Sequence, residues 1–451
     1  MNNKFKSKLY NRFAFREEYF GGLFLDYENS NYEIINEKEL NFLKKVINKE
    51  GVSKKNLGKS DLSNFIKKLT KKGAFQINNS GKILTVDTRE ITIPGKIPED
   101  FLSAPLKVYD TYTRKCNLNC RHCYAESNND LTEERRTIKE TKKIIKKLYD
   151  VGVMEWSFTG GEPLVAPDLF QAIQIAKSYG MKVSLNTNGC IDESMIEKII
   201  SSNIDELTVS LEGREKTNDQ RRGKGTYKKV IKTLRRINDY NKDNKPKVIL
   251  NMTIGKDNVD DIEFVTEKAI EYGCDIKFVT LKPAGRADSE FSKNIPSTEE
   301  FMKFAKKTQK LREKKKVKRS TTNIFLNHQD LFCPFYSDKS NLPFPFDGSE
   351  CSAVTTALDI LPNGDTVTCS FLMNREEFKG LNIINNSFRE VWHHPTLNSF
   401  RNAEKQGCPD CKFYQERCRG VCRSTVILGG GKIEDKKLIG EDYCCFKDLI
   451  K

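Results

Sequence analysis

Histidine and tryptophan are scarce in this chain, with four and two among 451 residues. His122, His328, His393 and His394 are too few and too badly spaced to build repeated zinc sites. No uninterrupted apolar run reaches the ~18 residues that suggest a membrane span, so no membrane is expected among the partners. The N-terminus, MNNKFKSKLYNRF, is basic but lacks the apolar stretch and small-residue cleavage site of a secretory signal, which predicts a cytoplasmic protein. No solenoid-period repeat is present either.

What the chain has in quantity is cysteine and charge. At roughly 150 residues per domain, its length predicts about three domains, and 37% hydrophobic with 31% charged residues reads as globular. In a reducing compartment, fourteen cysteines point to metal ligation or redox chemistry before disulfides. Three of them fall within 116–123 and eight within 351–445. The 77 basic against 62 acidic residues leave +15, which admits a nucleic acid, an anionic membrane or an acidic peptide without choosing among them.

Hydrophobic periodicity divides the chain into three parts. Residues 1–95 alternate apolar and polar side chains around Gly21-Gly22, then show helical spacing in ELNFLKKVINK and LSNFIKKLTKKG, then a strand from Ala74 to Thr85. That pattern predicts a winged-helix-like α+β module, with 86–104 as a linker. Residues 105–310 alternate short apolar strands with amphipathic helices, which predicts a parallel sheet or barrel with its functional groups at the strands' C-terminal ends. Residues 321–451 break the rhythm and read as a loop-rich segment organised by metal rather than by a large core. Within 306–319 the basic run reads as the solvated face of a helix.

Cys116, Cys120 and Cys123 follow the strand LKVYDTYT in the spacing C-x3-C-x2-C. Three thiolates leave one iron of a [4Fe–4S] cluster open for a chelating ligand; zinc, which wants a fourth nearby Cys or His, fits the spacing poorly. Further along stand SFTGGEPL with Gly160, Gly161 and Glu162, SLNTNG with Asn186, LTVSLEG with Ser210, DQRRGKGTY with Arg222, and TLKPAGRA. In order and spacing this set resembles the radical S-adenosylmethionine (SAM) superfamily. The resemblance implies a partial (β/α)6 TIM-like barrel in which the open iron binds SAM and the reduced cluster cleaves it to a 5′-deoxyadenosyl radical. It implies further that Gly160, Gly161 and Glu162 receive the SAM ammonium, that Asn186 and Ser210 meet the ribose and carboxylate, that Arg222 meets the carboxylate, and that His122 lies beside the adenine. For Asn186, Ser210 and Arg222 the plain alternative is a capping or solvated side chain.

Beyond the barrel, Cys351 precedes Gly364 and Cys369, and Cys408-x2-Cys411-x6-Cys418-x3-Cys422 precedes Cys444. With ALDILPNGDTVTCS, FKGLNI and SFREVWHHP, this resembles the SPASM extension of peptide-modifying radical SAM enzymes. The resemblance implies two auxiliary [4Fe–4S] clusters, three in all. Cys351, Cys369 and Cys422 would hold one, with Cys333 as its candidate fourth ligand; Cys408, Cys411, Cys418 and Cys444 would hold the other. Cys445 stays open as a ligand or a bystander, and Cys190 and Cys274 read as buried apolar thiols.

Residues 8–90 resemble, by pattern, the PqqD-like recognition element of ribosomal peptide modification, in which a leader peptide adds a strand to a small sheet. The resemblances together imply an enzyme that installs a thioether or carbon–carbon cross-link in a precursor peptide, with an electron donor of flavodoxin or ferredoxin type as a second partner. One alternative is a sulfatase-maturase-like oxidation of a Cys or Ser in a protein. The other is an iron–sulfur regulator whose winged helix binds DNA, although no aromatic-basic stretch favours nucleic acid.

Overall fold

The computed structural model describes residues 10–48, 61–240, 246–288, 291–314, 320–326, 351–405, 422–435 and 437–439. The N-terminal alternation forms an antiparallel meander of β1 (Phe13–Glu18), β2 (Gly21–Asp26) and β3 (Asn31–Ile35). At the β1–β2 turn, Gly21 has φ +123°, and a Cβ there would strike the Ile35 carbonyl, so this turn requires glycine. Helix α1 (Glu37–Ile47) starts in a capping box, with Asn36 accepting from the Glu39 N–H and Glu39 accepting in return. Its buried face and that of α2 (Asp61–Lys71) pack on Phe13, Phe15 and Phe24. The period of two sends Ala14, Leu23 and Leu25 to the opposite face, where they join the core of the rest of the molecule.

Two N-terminal expectations are revised. Ala74 to Thr85 is a hairpin, β4 (Phe75–Ile77) against β5 (Ile83–Thr85), because the turn Asn78–Gly81 interrupts it. Part of the expected linker is strand β6 (Thr88–Ile91), which pairs parallel to β1 and completes the order β3-β2-β1-β6. Four residues are too few for periodicity to reveal. The module is pegged to its neighbour by Arg16, wholly buried, whose Nε meets Glu18 Oε1 at 2.6 Å and whose Nη1 and Nη2 donate to the Val151 and Ala104 carbonyls at 2.8 and 2.5 Å. Glu18 in turn accepts from the Ser103 N–H at 2.8 Å, so both buried charges are paired and hydrogen-bonded.

The second part is a run of parallel strands alternating with helices. Strands β7 (Lys107–Thr113), β8 (Glu155–Gly160), β9 (Lys182–Thr187), β10 (Glu206–Ser210), β11 (Lys247–Ile254) and β12 (Asp275–Thr280) lie side by side. Between them run α3 (Ile138–Asp150), α4 (Leu169–Ser178), α5 (Glu193–Ser201), α6 (Glu215–Arg222), α7 (Thr226–Asp239) and α8 (Ile262–Glu271). Helix α9 (Thr298–Glu313) then leads to β13 (Ile324–Leu326), parallel to β12 at the sheet edge. Each of the six central strands begins with a charge, alternating Lys107, Glu155, Lys182, Glu206, Lys247 and Asp275. Ion pairs link neighbours around this layer, from 2.7 Å for Lys247–Asp275 to 3.7 Å for Lys182 with Glu155 and Glu206.

The C-terminal expectation changes most. Strand β14 (Ala357–Ile360) pairs parallel to β7, and β15 (Asp365–Val367) and β16 (Lys379–Asn382) follow antiparallel, extending the sheet to ten strands. Leu358, Ile360, Trp392, Leu397 and Phe400 belong to the same apolar core as the parallel strands. Residues 351–405 are therefore organised by ordinary packing, which their three- and four-residue strands conceal from a periodicity search.

Candidate active site

Strands β7 to β12 line one cavity of about 380 Å³, from residues near their starts such as Lys107 and Glu206 to their C-terminal ends, and residues of the β14–β15 region wall its far side. Cys116, Cys120 and Cys123 line it, on the loop that leaves β7. That loop is tied at several points. Arg286, just past β12, donates Nε to the Cys120 carbonyl and Nη2 to the Ser127 carbonyl, both at 2.8 Å, and its N–H to the Cys123 carbonyl at 3.0 Å. The Arg121 N–H reaches the Arg221 carbonyl at 2.9 Å and the Cys116 N–H the Asn128 carbonyl at 3.0 Å. Burial pushes the Cys116 thiol up to about 12 and also raises Cys120.

Gly160 and Gly161 press their backbone against this loop. The Gly161 N–H donates to the Thr113 carbonyl at 2.7 Å, and a Cβ at either glycine would collide with a carbonyl, of Thr113 or of Lys115. Both glycines line the cavity, but Glu162 does not. Its carboxylate, 1% exposed, accepts from the Asn188 N–H at 2.7 Å, Thr187 Oγ1 at 3.1 Å and the Leu164 N–H at 3.3 Å. These hydrogen bonds join the β8 turn to the end of β9 and fix the carboxylate's position. Burial raises Glu162 to about 7 against the pull of those donors.

Asn186, Ser210, His122 and Arg222 all line the cavity, as the sequence places them. What sequence reasoning missed is the residue that organises the last two. Glu212, wholly buried, receives Arg222 Nε at 3.0 Å and Nη2 at 2.5 Å, Arg221 Nη1 at 3.4 Å, the Thr253 N–H at 2.9 Å and His122 Nε2 at 3.3 Å. Burial works to raise this carboxyl, but Arg222, His122 and Arg221 hold it well below the usual range. Asn188 was missed too; its Nδ2 donates to Asn117 Oδ1 at 2.7 Å and lies 3.8 Å from Cys116 Sγ. The only signal for either was position, just after the end of a strand.

Across the cavity, Cys369, Ser370, Phe371 and Asp359 form the opposite wall. Of the C-terminal thiols Cys369 lines this wall, and Cys351 and Cys422 are near enough for their charges to act on it. Burial raises the Cys351 thiol to about 11, with the charge of Cys422 raising it further, and burial raises Cys369 too, with Asp359, Cys351 and Cys422 adding to the rise. All eight described cysteines are free thiols. Cys190 and Cys274 are buried, as expected. The assignments of Cys333, Cys408, Cys411, Cys418 and Cys444 as ligands, and the question of Cys445, lie outside the described residues.

Comparison with known proteins agrees with this geometry. The profile of the Radical SAM superfamily matches residues 111–269, and that of the SPASM family, an iron–sulfur cluster-binding domain, matches 351–418. The chain is a radical SAM enzyme. Mycofactocin maturase MftC of Mycolicibacterium smegmatis is 26% identical over 339 residues, 73% of this chain and 81% of that one. Fe-coproporphyrin III synthase of Methanosarcina barkeri is 34% identical over 212 residues, covering 45% of this chain and 51% of that one. Among solved structures, Streptococcus suis SuiB bound to its precursor peptide SuiA superposes with a TM-score of 0.67 at 20% identity, over 92% of this chain and 95% of that one.

The radical SAM cofactors, a [4Fe–4S] cluster and SAM, fit the residues present. Three thiols share one wall, and the cavity is of small-ligand size. Two of its lining residues also carry buried polar atoms without a hydrogen-bond partner, His122 Nδ1 and Ser127 Oγ. No described helix is long and apolar enough to cross a membrane.

Proposed function

We propose that this radical SAM enzyme modifies a ribosomally made precursor peptide, closing a thioether or carbon–carbon cross-link in it. The observation that carries the proposal is the N-terminal module: it is fixed to the catalytic sheet by Arg16 and Glu18, yet the outer edge of β3 has no partner strand among the described residues. Lys68 of α2 and Lys72 just beyond its end both reach Glu33 of β3, at 2.7 and 2.5 Å, and so set two cations against one carboxylate beside that edge. An extended leader peptide would add a strand there through backbone hydrogen bonds, as in a PqqD-like element, and acidic residues in it would meet the lysines. Support comes from SuiB, solved with its precursor peptide, and from the relative named as a maturase.

In this reading the parallel strands form a partial (β/α)6 barrel. Cys116, Cys120 and Cys123 hold the cluster that binds SAM. Gly160, Gly161, Glu162, Asn186, Ser210, Arg222 and His122 surround SAM, with Glu212 as a positioning residue. Cys351, Cys369 and Cys422 hold an auxiliary cluster with Cys333, and Cys408, Cys411, Cys418 and Cys444 a second. When bound, the first cluster and SAM supply a radical able to abstract hydrogen from carbon, given electrons by a flavodoxin- or ferredoxin-type donor. The protein's own residues exclude water, orient the peptide and take up the proton released.

Anaerobic co-expression with short reading frames encoded beside its gene, followed by mass spectrometry, tests this. A peptide lighter by two hydrogens per modification is the expected result. No mass change from enzyme that cleaves SAM would sink it, and conversion of an iron porphyrin instead would align the chain with the synthase relative. Replacing Lys68 and Lys72 together by glutamate is expected to weaken binding of the peptide about tenfold, ~1.4 kcal/mol. Fluorescence anisotropy of a labelled peptide measures it, with an unchanged cluster absorption spectrum as the control for folding.

A further inference from the structure

Lys282 is the one described lysine that lines the cavity and also reaches the second group of thiols. It follows the end of β12, is 4% exposed, and donates Nζ to Thr425 Oγ1 at 2.7 Å, with Cys422 Sγ at 3.5 Å. The Phe371 ring lies under the ammonium, its centroid 5.6 Å away. Its charge also bears on Cys351, together with that of Arg423. A cation carried by the catalytic sheet therefore sits against the thiols contributed by the C-terminal region.

We propose that Lys282 is a positioning residue that sets the reduction potential of the auxiliary cluster held by Cys351, Cys369 and Cys422. This rests on the reading that those three cysteines are ligands. A cluster becomes more negative by one charge on reduction, and a buried cation hydrogen-bonded to a ligand sulfur stabilises that reduced form more than the oxidised one. In a site screened from water the effect is large compared with that of an exposed lysine.

The test uses reconstituted full-length enzyme carrying Cys116→Ala, Cys120→Ala and Cys123→Ala, so that only auxiliary clusters remain, titrated with dithionite and followed by electron paramagnetic resonance. The wave belonging to this cluster is the one that disappears in Cys369→Ala. Lys282→Met is expected to move that wave to a more negative potential, and Lys282→Arg to leave it close to the parent. Should Lys282→Met bind less iron, Lys282→Gln, which keeps a donor and drops the charge, is read in its place with the same expectation. An unmoved wave in the neutral variants overturns the role of Lys282 while leaving the ligands standing. If no wave and no iron are lost in Cys369→Ala, the ligand assignment itself is wrong.

Discussion

Glu212→Gln is expected to cost about 3–5 kcal/mol of folding stability, a value set by what the substitution strands rather than by what it removes. Arg221 and Arg222 are 1% and 8% exposed, and both aim at this carboxylate. Arg221 has a second anion in Asp257 and a carbonyl in Thr253, whereas every side-chain hydrogen bond found for Arg222 ends on Glu212 Oε1. The amide would leave a buried guanidinium facing the cavity with its charge uncompensated. Urea unfolding of the anaerobic apoprotein measures the loss. The double variant Glu212→Gln with Arg222→Met is expected to be more stable than Glu212→Gln alone, since removing a buried pair costs less than breaking it. Simple additivity of the two single changes would show that the pair is not coupled. The pH dependence follows in sign: a carboxyl held below its unfolded value contributes stability that is complete above about pH 5 and is lost progressively as the pH falls from there through the depressed folded value.

The contrast between Glu212 and the cysteine motif shows which parts of the site a sequence displays. Cys116, Cys120 and Cys123 are legible because a spacing of a few residues on one loop becomes proximity in space with no help from the fold. Asn186 and Ser210 are legible for a related reason: strand ends in a parallel sheet converge, so a polar residue there faces the cavity. Glu212 touches residues from α6, β11 and the cysteine loop at once, and only the assembled sheet brings those together. Glu162 is a mixed case: its motif is visible in the sequence, while the internal donors that fix its carboxylate appear only in the fold. The same division runs through the fold. Long amphipathic helices such as α3 and α7 announce themselves, while β6 and β14 are four residues each and are defined by the partner strand they find. The layer of alternating charge at the start of β7 to β12 was likewise in plain view and meaningless until the strands stood in register.

Asp359→Asn is expected to separate SAM cleavage from peptide modification. Asp359 lies on β14 and is 5% exposed. It lines the cavity wall opposite the first cysteine group, where it accepts a hydrogen bond from the Ser370 hydroxyl. Burial pushes it up to about 7, with only Ser370 pulling the other way, and no arginine or lysine figures among the causes. Glu212 is as deeply buried and is held low by its guanidiniums, so the difference between the two carboxyls is one of neighbours, not of depth. If the proposed function holds, closing a cross-link removes two hydrogens from the peptide, one as a hydrogen atom and the other as a proton and an electron. The proton needs an acceptor whose affinity matches the working pH, and Asp359 is the cavity carboxyl with that property. The asparagine variant should therefore modify peptide about 10²-fold more slowly or worse, while still forming 5′-deoxyadenosine. In the parent enzyme the modification rate should rise with pH through about 7 as the acid becomes a carboxylate, and in Asp359→Asn that limb should be flat. Because this carboxyl holds its proton more tightly folded than unfolded, the apoprotein should also lose stability as the pH rises through the same value, a loss the asparagine removes. A variant that modifies peptide at the parent rate with the parent pH profile would move the proton acceptor elsewhere on the wall.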